Sequence, residues 1–95
     1  MKRIFVLPSF ERSVKKFTPR GKSQVAESLE KFNEFVLSGD APFGFRFKKI
    51  NHDKYEFRTD IRLRVVVKIV GSDYYLVLAG NHDEVRKYLR DFRRN

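Results

Sequence analysis

The 95-residue chain predicts an α+β domain: a mostly antiparallel sheet, a two-helix layer from the N-terminal half on one face, and a C-terminal helix. Apolar residues recur at helical spacing in two early segments, Phe10/Val14/Phe17 and Val25/Leu29/Phe32/Val36. From Tyr55 to Ala79 the period changes to the two-residue alternation of strands. The connections between those strands are short and turn-like, which favours antiparallel neighbours over crossover helices. One domain spanning residues 1–95 accommodates all of this.

Taken in order, Ile4 to Leu7 forms a short first strand ended by Pro8, and Ser9 is the expected N-cap of the first helix. Thr18 caps the second helix with Pro19 in its first turn, and Gly39 closes it. The two helices pair antiparallel and bury their stripes on one sheet face. A turn around Ala41, Pro42 and Gly44 leads to Phe45 and Phe47 alternating with Arg46 and Lys48. Asn51 to Lys54 is a polar turn before the strand Tyr55 to Arg58. Gly71, Ser72 and Asp73 join Val70 to Tyr74 as a hairpin. The last helix is expected from about Asp83 to Arg93, with Asn81 as cap and Val85, Leu89 and Phe92 turned inward.

Composition narrows the function. A formal charge of +9, from 21 basic and 12 acidic side chains, calls for a polyanionic or acidic partner. The basic surplus lies in residues 1–24, 46–68 and 81–95, whereas residues 25–45 are acidic. With no cysteine there is neither a disulfide framework nor thiol chemistry, as suits a reducing cytoplasm, and a zinc site is implausible with two histidines. No apolar run approaches a membrane span, and Pro8 stops the N-terminal one short of a signal sequence. The scattered glycines form no phosphate-cradling loop. Asp53, Glu56 and Asp60 do not make a convincing metal-dependent nuclease, because Arg58 stands where a lysine would be expected.

The central strands carry the most informative pattern. Leu63, Val65, Val67 and Ile69 alternate with Arg62, Arg64 and Lys68, while Glu56 and Arg58 oppose Tyr55 and Phe57. With the helices on the apolar face, the cationic face is expected to lie open, with His82 close behind Gly80 and Asn81. Several cations, a carboxylate and an imidazole on one face suit a phosphodiester and proton transfer at it, which makes RNA the first partner to consider.

The segments Lys54-Tyr55-Glu56-Phe57-Arg58, Arg62-Leu63-Arg64-Val65-Val66 and Gly80-Asn81-His82-Asp83-Glu84-Val85, followed by Tyr88, resemble the RelE/ParE superfamily of bacterial and archaeal toxins, in particular its RelE-like ribosome-dependent mRNA endonucleases. Length and element order match over nearly the whole chain. The resemblance implies metal-independent and cofactor-free cleavage of mRNA in the ribosomal A site, with the ribose 2′-hydroxyl attacking the neighbouring phosphate. It also implies an antitoxin partner. Arg64 aligns with a phosphate-clamping arginine, Arg58 with another basic position, His82 with a general acid at the leaving group, and Tyr88 with an aromatic that stacks on a base or orients the phosphate. Lys54 and Glu56 both remain candidates for the general base, and Glu56 has the alternative of bracing Arg58 in an ion pair. Lys48, Lys49, Arg46 and Arg62 are expected to bind the RNA backbone, while His52 and Asp53 belong to a turn and receive no role. The last helix and its flanking grooves are where an antitoxin would dock. ParE-like members poison DNA gyrase on the same scaffold, so a gyrase inhibitor and a non-cutting basic RNA-binding module stand as alternatives.

Overall fold

A computed structural model of the chain describes residues 2–39, 46–58 and 62–93, with side chains to residue 91. The expected turn at Ala41, Pro42 and Gly44, the Phe45 position, Asp60 and the side chain of Phe92 lie outside this set. The elements are β1 (Arg3–Val6), α1 (Pro8–Lys15), α2 (Pro19–Ser38), β2 (Lys48–Lys49), β3 (Lys54–Arg58), β4 (Arg64–Val70), β5 (Asp73–Gly80) and α3 (His82–Arg93). They form a five-stranded sheet in the order β1-β5-β4-β3-β2, with β1 parallel to β5 and the other pairs antiparallel. The expected α+β architecture is the observed one.

The edge of β5 is divided between a strand and a helix. β1 pairs with its first half, from Arg3 opposite Asp73 to Val6 opposite Leu76. From there α1 runs along the second half. Ser9 Oγ donates to the Val77 carbonyl at 2.6 Å, and Ser13 Oγ accepts from the Ala79 N–H at 3.0 Å. Two hydroxyls thus satisfy backbone groups that would otherwise be left at a covered sheet edge. This corrects the expected role of Ser9: Leu7 is the N-cap, without a side-chain bond, and Pro8 opens the helix, where its missing N–H costs nothing. The α2 ends follow the sequence. Thr18 accepts from the Gly21 N–H, and Gly39 adopts φ 83°, the left-handed conformation that stops the helix.

Two apolar clusters flank the sheet. On the α1/α2 side, buried Phe32 stacks on Phe57 at 5.0 Å and meets Tyr74 edge-on at 5.9 Å, with Phe10, Val25, Val36, Val65 and Val67 around them. On the other side, Val66, Val77 and Val85 form a smaller cluster with Leu78, Tyr88 and Leu89 against it. The cationic face is therefore not open along its length, since α3 roofs its middle and Val66 is fully buried there. A β-bulge makes this possible. Val66 pairs with Leu78 and Val67 with Leu76, so Val77 is the extra residue, and both Val77 and Leu78 serve the α3 side while Leu76 and Ala79 serve the other. No helix among the described residues is long and apolar enough to cross a membrane.

Candidate functional site

The strand alternation brings Lys54, Glu56 and Arg58 to the α3 side of β3, and the register sets them opposite Lys68, Val66 and Arg64 of β4. Lys48 of β2 is the partner of Glu56 on the other flank. Glu56, only 3% exposed, accepts from Arg64 Nη1 at 3.2 Å and lies 3.4 Å from Lys48 Nζ. The carboxylate thus braces Arg64 and Lys48 rather than Arg58, which corrects the expected ion pair. The reason is register: Arg58 precedes the turn into β4 and sits beside Arg64, whereas the Arg64 side chain reaches back along the sheet to Glu56.

Arg64 keeps 13% of its side chain exposed, and its Nε is buried with no hydrogen-bond partner among the described residues. A guanidinium has two donor edges. With Nη1 committed to Glu56 and Nε buried, the small exposed part of the guanidinium is what an incoming anion can reach. Arg64 also faces Gly80 across the sheet, and His82 follows Gly80 by two residues as the exposed first residue of α3. Arg64, Arg58, Glu56 and His82 therefore gather at one end of the sheet.

Two local features fix His82. Asn81 Oδ1 accepts from the Glu84 N–H at 2.8 Å while Glu84 Oε1 accepts from the Asn81 N–H at 3.0 Å, a reciprocal capping box. A Cβ on Gly80 would come within 3.1 Å of Glu84 Cβ, so a glycine is what lets the first turn of α3 lie so close to the strand end.

Lys54 and Tyr88 belong to a second group, near the opposite end of β3, about 13 Å along the strand from Arg58. Lys54 is 1% exposed, and its Nζ donates to Asp53 Oδ1 at 3.1 Å; Lys68 Nζ lies 3.9 Å from the other Asp53 oxygen. Burial pushes the Asp53 carboxyl up, but the Lys54 hydrogen bond and the charges of Lys54 and Lys68 outweigh it, so the group titrates below its ordinary value. Tyr88 packs against the Val66 cluster, and burial, then the Asp53 charge, raise its phenol above the ordinary range. Asp53, expected to have no role, is thus the hub of this group. Its adjacency to Lys54 was visible in the chain, but its link to Lys68 and Tyr88 depends on strand register and on the path of α3.

The expected backbone-binding residues do not gather. Lys48 points to the α3 side with Glu56, but Lys49 is paired with Tyr55 and shares its face, towards the α1/α2 layer. Arg46 is exposed in a positive-φ conformation, φ 53°. Arg62 precedes β4 and turns to the α1–α2 connection instead of joining Arg64 and Lys68. Among the described residues no three histidine or carboxylate side chains come together as a metal site.

No protein-family model and no curated protein matches the sequence. Solved structures do match the fold. YafQ from E. coli strain BL21(DE3) superposes with a TM-score of 0.66 at 9% identity, covering 90% of this chain and 98% of that one. A chain of the RelB-RelE antitoxin-toxin complex from Methanococcus jannaschii gives 0.67 at 14% identity, covering 88% and 96%. The YoeB-YefM complex from Staphylococcus aureus gives 0.62 at 16%, covering 86% and 98%. At these identities the likeness is one of fold: over 86–90% of its length the chain shares the fold of the YafQ, RelE and YoeB structures, the RelE-like toxin fold.

Proposed function

We propose that the protein is the toxin of a toxin–antitoxin pair and cleaves mRNA on the ribosome without a metal ion. The observation that carries this reading is the partly exposed Arg64 guanidinium, held in place by Glu56 at the sheet end where His82 begins α3. In the proposed reaction the ribose 2′-oxygen attacks the adjacent phosphorus and the bond to the 5′-oxygen breaks, leaving a 2′,3′-cyclic phosphate and a 5′-hydroxyl. Arg64 holds the phosphate oxygens and takes up the charge that grows on them in the phosphorane. His82, exposed at the start of α3, donates a proton to the departing 5′-oxygen. Glu56 is the proposed base for the 2′-hydroxyl because it is an acceptor beside Arg64, whereas Lys54 is engaged with Asp53 at the other end of β3; being as buried as Lys54, Glu56 takes the proton only by loosening its hold on Arg64 or Lys48. Arg58 adds a second cation beside Arg64. Tyr88, whose ring packs on the Val66 cluster beside the Lys54–Asp53 end of the face, lies away from Arg64 and is given no part in the proton transfers.

The partner proposed to hold the toxin in check is an antitoxin. The structural neighbours include complexes named DinJ-YafQ, RelB-RelE and YoeB-YefM, and a surface with net charge +9 is complementary to an acidic chain. Primer extension on a translated message after induction tests the nuclease reading. Cuts within codons are expected, and they should vanish in Arg64→Ala and His82→Ala. Intact message accompanied by double-strand breaks in DNA would replace it with gyrase poisoning. Intact message and intact DNA would reduce the protein to a binding module.

A further inference from the structure

The α1–α2 connection and the start of β4 enclose a groove of about 670 Å³, within the size range of ligand clefts. Lys16, Arg20 and Arg62 each bring a cation to it, and no acid lines it among the described residues. Phe17 and Leu63, both packed on the larger apolar cluster, form its apolar side. Thr18, whose hydroxyl fixes the first turn of α2, places the positive end of a 20-residue helix at the same wall.

Its position relative to Arg64 follows from the path of α1. Ser9 bonds at Val77 and Ser13 at Ala79, so α1 advances towards the C-terminal end of β5, and Lys16 arrives where Gly80 pairs with Arg64. Leu63 and Arg64 are neighbours in the chain, one turned to the helical layer and the other to the α3 side. The groove and the Arg64 guanidinium thus lie on either side of one strand end.

We propose that this groove binds phosphodiester groups of the same single-stranded RNA whose scissile linkage is held at Arg64; the identity of the strand rests on the nuclease reading above. A polyanionic strand passing around the β4 end would meet Arg64, then Arg62, then Arg20 and Lys16. Guanidinium groups, which match phosphate oxygens in pairs, make up most of that track. An acidic protein helix fits less well, because Phe17 and Leu63 offer only a small apolar surface for its buried stripe.

Fluorescence anisotropy with a labelled 2′-O-methyl single-stranded RNA, which has no 2′-hydroxyl to attack, separates binding from cutting. Lys16→Ala/Arg20→Ala should bind on the order of tenfold more weakly at 0.15 M salt, and the slope of log K against log salt should fall by about 1.4, the expectation for two lost phosphate contacts on a single strand. The control pair Lys2→Ala/Lys31→Ala, equal in charge and exposed elsewhere, should change affinity less than about twofold. If the double variant melts early, Lys16→Ala alone carries the test with half the slope change. Equal losses in both pairs would overturn the groove. So would unchanged RNA affinity combined with lost binding to poly-glutamate, which would assign the groove to an acidic protein. Groove-dependent binding by a chain that leaves translated message intact would sink the nuclease reading and leave the groove standing.

Discussion

On the face covered by α1 and α2, stacked rings of Phe32, Phe57 and Phe47 fill the space between sheet and helices and no charge is needed there. On the face covered by α3, a small aliphatic cluster is flanked by buried or half-buried ions: Glu56 with Arg64 at one end, Lys54 with Asp53 at the other. The first face is a stability device. The second gives up packing for placed charge, and ion pairs taken out of water return little net stability. Functional side chains therefore belong where the sheet is least well packed, and substitutions on the first face should cost stability, those at the ions of the second activity as well.

The largest expected effect is Phe57→Ala, which removes the ring stacked on Phe32 and should cost about 3–5 kcal/mol in urea unfolding. Val66→Ala on the other face should cost about 2 kcal/mol, the value of its two methyl groups. Equal costs would break the contrast. Next comes Arg64→Ala, expected to lower cleavage of ribosome-bound message on the order of 10²–10³-fold and also to lower the urea midpoint, because buried Glu56 is left with Lys48 as its cation among the described residues. Arg64→Lys, which keeps the charge but lacks the fork, should recover only part of the rate. A variant that loses stability and activity in proportion would mean that Arg64 is a structural residue.

Much of this contrast was legible in the chain. The alternation at Tyr55–Arg58 and Leu63–Ile69, the Thr18–Pro19 start and Gly39 end of α2, and the Gly71 hairpin are local signals that need no tertiary information. What escaped reading depends on contacts distant in sequence. Val66 stands at a charged-face position by alternation, and only the stripe of α3 laid across it explains its burial. The bulge at Val77 leaves no mark in a run of apolar residues. Ser9 is a good cap by type but lies against a strand edge that needed a donor, and tertiary demand overrode local preference. Glu56 chose Arg64 over Arg58 because of a cross-strand register that no sequence spacing states.

Two smaller effects sharpen the comparison within the α3 face. Asn81→Ala removes one half of the capping box and should cost about 1 kcal/mol, read by thermal or urea unfolding. If it also lowers cleavage, then the cap positions His82 and the first turn of α3 is part of the site rather than only its support.

The smallest effect concerns Asp53, where the sign can be worked out in advance. Its folded-state value lies below that of the unfolded chain, so the stability it contributes is complete above the ordinary carboxylate range and is lost as pH falls through the lowered value. Tyr88 runs the other way: its raised value contributes stability that is complete below the ordinary phenol range and disappears as pH rises through the folded value. Asp53→Asn removes a negative charge near that phenol but leaves its burial intact. The Tyr88 midpoint, isolated as the phenolate absorbance difference between Asp53→Asn and Asp53→Asn/Tyr88→Phe, should therefore move towards the ordinary value without reaching it. A midpoint identical to that of the parent protein would mean that Asp53 does not reach Tyr88 electrostatically. Burial alone would then account for the raised Tyr88 value, and Asp53 would be paired with Lys54 and Lys68 without joining Tyr88 to the group.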